Sequence, residues 1–283
     1  MTRGDRRGGR RVRGAALGLT AWLCGIAFFL PVAWMVLTSF HRETDAATNP
    51  PSLAAPLTLH GYREFFGVGG AGVSPWPPLL NSLTASVAST LLVLVLAVPA
   101  AYALSLRPVR TWRDVLFFFL STKMLPLVAG LLPIYLVAQN TRMLDDIWLL
   151  VILYTSMNLP IAVWMMRSFL AEVPVEILEA ASIDGAGLPT TLVRIVAPVA
   201  LPGIAATALI SFIFSWNELL FARVLTGIVA GTSPVFLTGL VTSQGLFLAK
   251  VCAAATVVSL PVLVAGFAAQ DKLVQGLSLG AVK

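Results

Sequence analysis

Six stretches of this chain run for about 20 residues or more with almost no charge, the length a helix needs to cross the hydrocarbon layer of a bilayer. They lie within Gly14 to Phe40, then from about Leu79 to Leu106, Val115 to Ala138, Ile147 to Met166, Ile195 to Phe221 and Val251 to Gln270. Only Lys123 and Glu218 interrupt them with charge. With 58% hydrophobic and 11% charged residues and a mean hydropathy of +0.88, the chain has too little polar surface for a soluble globule. Strands of a membrane barrel would be shorter and alternate in polarity, so all six spans are expected to be helices. The fold class is an all-α polytopic membrane protein. Residues 1–13 form a basic N-terminal segment, 14–270 the membrane domain, and 271–283 a C-terminal tail.

Basic residues orient such a chain, because Lys and Arg stay on the cytoplasmic side. With the N-terminus inside, thirteen fall on the inner side: Arg3, Arg6, Arg7, Arg10, Arg11, Arg13, Arg107, Arg110, Arg113, Arg167, Arg194, Lys272 and Lys283. Five fall outside: Arg42, Arg63, Arg142, Arg223 and Lys250. Both termini are therefore expected in the cytoplasm. Six arginines directly before an apolar span act as an orientation signal near anionic lipid rather than a nucleic-acid site. That first span is longer than a signal-peptide core and ends without a small-x-small cleavage site, so it reads as a retained helix.

Between the fourth and fifth spans, Glu179 to Pro202 reads EAASIDGAGLPTTLVRIVAPVALP. Pro174 suits the first turn of a helix, and Glu172, Glu176 and Glu179 complement the positive end of its dipole. A short helix is expected from about Pro174 to Asp184. Gly185 and Gly187 can take the left-handed conformation that ends it, and Pro189 opens a second helix leading towards Pro198. The whole loop, 172–202, reads as a helix, turn, helix knob at the membrane surface.

Glu179, Ala180, Ala181, Asp184, Gly185, Ala186, Ile195, Pro198 and Pro202 stand at the spacing of the cytoplasmic EAA loop of ATP-driven, binding-protein-dependent importers. The chain is identified as similar to the permease subunits of the carbohydrate branch (maltose, glycerol phosphate, polyol) of ABC importers. Asn81 and Ser82 match an Asn-Ser pair common there, whereas Leu192 and Leu201 replace the aromatic and basic residues often found. The runs STKMLP, PIYL and SMNLP look most like the mannitol and sorbitol polyol subfamily. The resemblance implies a type I importer permease with six transmembrane helices in a bacterial cytoplasmic membrane. In such a protein Glu179 to Ala186 couple to an ATPase, and Ile195, Pro198 and Pro202 shape the loop. The implied partners are a second permease, an ATPase dimer and an extracytoplasmic substrate-binding protein. ATP and Mg2+ would sit on the ATPase, with no cofactor on this chain. The small-residue tail Gln275 to Lys283 would reach the ATPase interface.

Polar residues inside spans are costly and carry functional hypotheses by default. Lys123 would lie roughly 12 Å along an uninterrupted third helix, at about 1.5 Å per residue. It can serve substrate hydroxyls, pair with Glu218 or another carboxylate, or snorkel to water. Asn158 can satisfy a carbonyl freed by Pro160 or line a pathway. Asn217 and Glu218, in SWNELL, match a run late in the fifth span of sugar permeases; they are candidates for pathway or gate, or for interhelix bonding.

No nucleotide-phosphate motif GxxxxGK(S/T), no HExxH and no nucleophile elbow is present, and His41 and His60 both fall in the outer segment 39–78. That segment, with its Pro and Gly runs, is expected to form a turn-rich cap. Cys24 and Cys252 lie in spans with no metal-ligand spacing. Catalysis is therefore assigned to another chain. The alternatives are a secondary carrier, expected to show intramembrane carboxylates and repeated halves, and a scaffold without transport.

Overall fold

The computed structural model describes residues 3–48, 55–67, 74–106, 109–241 and 248–280, with the side chains of 3–13, 15 and 273–280 left aside. Parts of the outer cap (49–54 and 68–73), Arg107 and the last three residues of the tail fall outside the described residues, as do the side chains of the basic start. Among the described residues every regular element is helical.

The chain divides into two compact units, 1–74 with 240–257 and 75–239 with 258–283. In the first, α1 (Arg3–Thr38) is followed by two short helices, α2 (Glu43–Ala46) and α3 (His60–Phe65). Among the described residues of 39–78, the helices are α2, α3 and the first residues of the next helix, from Trp76. Gly61 lets α3 approach α14 (Leu248–Gly280) so closely that a Cβ there would meet the Ala249 carbonyl oxygen at 3.0 Å. Glu43 accepts a hydrogen bond from the otherwise free N–H of Ala249, near the start of α14, at 3.1 Å.

The second unit is built on α4 (Trp76–Ser105) and α7 (Ile147–Leu170), with α11 (Leu201–Trp216) packed on both. Serine, threonine and alanine at the crossing (Ala85, Ser86, Ser89, Ala97, Ala101, Ala162, Ala206, Thr207) let these apolar helices approach closely. One buried cluster joins Val93, Tyr102, Leu116, Met166, Leu170, Leu178 and Val196. A second, nearer the start of α4, joins Ala85, Leu150, Tyr154, Phe221 and Leu225.

α1, α4, α7 and α14 are each long and apolar enough to cross a membrane. The third and fifth predicted spans are not single straight helices. The third divides into α5 (Trp112–Thr122) and α6 (Leu127–Asn140), bent by 82°, and the fifth into a segment Leu188–Val199 and α11, bent by 84°. Proline causes both breaks. Pro126 has no N–H to donate and disfavours a helical residue before it; it stands extended itself (φ −61°, ψ 119°), so α6 starts afresh after it. At Ala200 the backbone leaves the helix (ψ 7°), because Pro202 can make no hydrogen bond back to Pro198. A count based on apolarity alone is blind to both.

Candidate functional site

The loop at 172–202 folds as an elbow. α8 (Val175–Ile183) begins after Pro174, with Glu176 in its first turn. Gly185 takes φ +74°, the N–H of Ala186 bonds the Ala181 carbonyl at 3.0 Å, and that of Gly185 bonds Ser182 at 3.2 Å. This is a complete Schellman stop. Gly187, also expected in the left-handed region, is instead extended (φ −71°, ψ 164°), because one left-handed residue already turns the chain. Pro189 opens α9 (Leu188–Thr190), which passes through a π-helical turn (Thr191–Val196) into α10 (Ala197–Val199).

The elbow has one face in and one face out. Leu178, Val196 and Ala200 are buried in one cluster with Tyr102, Met166 and Leu170, and Ala181 is buried as well. Glu179, Ala180 and Asp184 are exposed, as are Val175, Leu188, Val193 and Ile183, the last 86% exposed. Ala186 is half-buried, at a cavity of about 420 Å³ shared with Pro99, Tyr102 and Leu192. Ile195 and Pro202 are half-buried and Pro198 exposed. Behind the elbow, Gly203 lies so close to Phe169 that a Cβ there would meet the ring's Cγ at 2.4 Å. Sequence reading did not single out Gly203.

The intramembrane candidates divide. Asn158 is fully buried, and its amide donates to Ser215 Oγ at 3.0 Å, which in turn lies 3.0 Å from Ser89 Oγ. The amide therefore joins three helices; it does not repair the backbone around Pro160. Asn217 caps its own helix by donating to the Ile213 carbonyl at 2.9 Å. Glu218 is buried and its carboxylate accepts from the N–H groups of Phe221 (3.0 and 3.1 Å) and Ala222 (3.3 Å), capping α12 (Leu220–Leu225). The Tyr154 hydroxyl neighbours this carboxylate without closing a hydrogen bond of regular geometry. Lys123 sits at the α5–α6 break, exposed, on a cavity of about 400 Å³ shared with Ser156, Met157, Pro160 and Phe221. Among the described residues no ion pair joins Lys123 to Glu218. Neither Asn158 nor Glu218 lines the cavity at Lys123, so the candidates are not gathered at one place: Asn158 is spent between helices, Glu218 on α12 and Asn217 on its own helix.

At the far end of α4, about 20 residues and so roughly 30 Å from Tyr102, a second polar device appears. Asp145, at φ +59°, accepts through its carboxylate from the N–H groups of Gly227 (2.7 Å), Val229 (3.0 Å) and Ala230 (2.8 Å). Partial burial raises this carboxyl, but the amides of residues 227–230 outweigh it and hold the group below the usual carboxylate range. From the other side Asn81 donates to the carbonyls of Val229 (2.7 Å) and Gly231 (3.0 Å), and Ser82 accepts from Ser233 N–H at 2.8 Å. The clamped loop presents Ile228, 98% exposed. The Asn-Ser pair was legible in sequence; Asp145 was not, since an acidic residue in a short loop resembles any turn residue. Among the described residues no cluster of His, Cys, Asp and Glu could hold a metal.

Among the described residues this arrangement holds no assembled nucleophile or acid–base pair; its polar groups are spent on backbone and helix contacts or left exposed. The profile of the family "Binding-protein-dependent transport system inner membrane component" matches residues 93–278. The chain is 37% identical over 266 residues to a probable ABC transporter permease protein of Sinorhizobium fredii, covering 93% of this chain and 94% of that one. It is 30% identical over 267 residues to the diacetylchitobiose uptake system permease protein DasC of Streptomyces coelicolor, covering 94% and 95%. A solved bacterial ABC transporter involved in the import of the acidic polysaccharide alginate has the same fold, with a TM-score of 0.75 at 21% identity over 96% of this chain and 99% of that one. The chain therefore belongs to the binding-protein-dependent transport system inner membrane components, as a permease subunit of an ABC transporter.

Proposed function

We propose that this permease is one half of a carbohydrate importer. It works with a second, different permease, a pair of ATPase subunits and an extracytoplasmic binding protein. Both termini and the Glu179 elbow lie in the cytoplasm, and all six apolar stretches, two of them bent, cross the membrane. ATP and Mg2+ bind the ATPase; ATP-driven closure draws the elbows together and opens the helices outward, and hydrolysis resets them. Sugars, such as those for which the relatives are named, or polyols are the cargo. The pathway runs past Lys123 and the cavity it shares with Ser156 and Met157.

The observation that carries this reading is the elbow: it is seated by buried Leu178 and Ala181 yet displays Glu179, Ala180, Ile183 and Asp184 outward. Ile183 is not exposed alone: Val175, Leu188 and Val193 are also exposed on this loop, an apolar display that supports contact with another protein. The test is uptake of radiolabelled sugars and polyols by cells carrying wild type, Glu179→Ala or Gly185→Ala. Loss of uptake with normal membrane levels is expected in both variants, and unchanged uptake in both would sink the coupling role. Mass spectrometry of the copurified binding protein then names the cargo.

A further inference from the structure

At the elbow's end of the core, α5 opens with Trp112, which packs against the buried cluster that seats Leu178 of α8. Two guanidiniums lie on this one indole: Cζ of Arg167, from the end of α7, is 4.1 Å from the ring centroid, and Cζ of Arg113 is 5.3 Å from it. Arg110 stands two residues before Trp112. Among the described residues none of these three arginines has a carboxylate partner, and the buried Nε of Arg167 has no hydrogen-bond partner at all. An indole face attracts a cation without neutralising it, so the charge of these guanidiniums, Arg110 and Arg113 exposed and Arg167 half-buried, stays open to an anion.

The neighbouring surface says which kind. Arg113 and Phe117 are i and i+4 on α5 and so share a face, and Phe117 and Phe118 are both exposed. The face thus carries charge at its membrane-end turn and bare aromatic surface one turn deeper. A free phosphate would use the first feature and leave the second in water. A phospholipid uses both, with its phosphate forked by planar guanidiniums and its acyl chains against the phenyl rings. Tryptophan at such a boundary also suits the headgroup level.

We propose that Arg113, Arg167 and Trp112, with Arg110 at the rim, form a binding site for the headgroup phosphate of an anionic phospholipid. Because Trp112 rests on the cluster that holds α8, occupancy of the site steadies the seat of the elbow. The site can be tested on the purified full chain, so its fate is separate from that of the transport reading.

The experiment is native mass spectrometry of the full chain in mild detergent, with phosphatidylglycerol, phosphatidylcholine of the same acyl chains, or inorganic phosphate added. Wild type should retain phosphatidylglycerol about tenfold better than phosphatidylcholine. The preference should shrink in Arg113→Gln, vanish in Arg113→Gln with Arg167→Gln, and survive Arg223→Gln, which removes the same charge from α12. Should the double variant fail to fold, exposed Arg113→Gln and Phe117→Ala carry the test, each expected to weaken retention several-fold. Brominated phosphatidylglycerol should quench tryptophan fluorescence in wild type and measurably less in Trp112→Phe. Equal retention of the two lipids, retention unaffected by Arg113→Gln and Phe117→Ala, or displacement of the lipid by millimolar inorganic phosphate would overturn the proposal.

Discussion

The two ends of the α4–α7–α11 core are both organised by polar residues, yet they use them in opposite ways. At the elbow, charges and apolar side chains such as Glu179, Asp184 and Ile183 face outward, and the shape is set by backbone devices: a Schellman stop at Gly185, a proline start and a bend at Ala200. At the clamp, Asp145, Asn81 and Ser82 turn inward and spend their hydrogen bonds on the loop at 227–233. One end leaves its side chains exposed; the other uses them to hold its own backbone. Substitutions should therefore separate loss of function from loss of fold according to the end they touch.

The largest expected effect lies behind the elbow. Gly203→Ala drives a methyl group into Phe169, whose Cγ would be 2.4 Å away, and overpacking of this kind costs about 3 kcal/mol. A lowered thermal midpoint, partly restored in the double variant with Phe169→Ala, is the expected result. Next comes the clamp: Asp145→Ala leaves the amides of residues 227–230 without their carboxylate, a loss of about 2 kcal/mol by thermal unfolding in detergent.

The same group gives a pH dependence. Its folded-state pKa is depressed, so its contribution is complete above the unfolded value near 3.9 and is lost as pH falls through the lower folded value. Stability from this source should be flat around neutrality and decline below about pH 4. Asp145→Asn should flatten that acid limb, and a limb unchanged in the variant would remove Asp145 as its source.

Gly185→Ala should cost about 1–2 kcal/mol for the left-handed backbone, with no packing term because a Cβ there meets nothing within 4 Å. Gly185→Asn should cost less, because asparagine visits that region more readily. Uptake should rank wild type, Asn, Ala. The smallest effect belongs to the interhelix node: in a double-mutant cycle of Asn158→Ala with Ser215→Ala, the hydrogen bond between them should couple by about 0.6 kcal/mol. Abolished uptake at unchanged stability in Asn158→Ala would move Asn158 from the packing of the core to its pathway.

Local chemistry made the elbow legible in the sequence. Pro174, Gly185 and Pro189 each act on their own backbone, so their effects can be read without knowing what lies nearby; Gly187 misled because composition does not say which of two glycines makes the turn. The helical class and the six apolar stretches followed from hydropathy, whereas the breaks at Pro126 and Ala200 required asking what proline does inside an apolar run. Asp145 was hidden because its partners lie 82 and more residues away in the chain. Glu218 drew attention as a charge in a span, but its spacing to Phe221, three residues on, is also that of a carboxylate capping a short helix, and the structure uses it so. Lys123 kept its interest for a reason the sequence could not supply, a proline break that leaves it lining a cavity.

The most direct test of the central claim is to affinity-purify the full chain from its native membrane and quantify the ATPase that accompanies it, comparing wild type with Ile183→Asp. This substitution puts a charge on the most exposed apolar position of α8, where the side chain is 86% exposed. If the elbow is the coupling element, the variant keeps its thermal midpoint and its second permease but loses most of the ATPase. Undiminished ATPase, with Ile183→Asp present at wild-type level, would contradict the account.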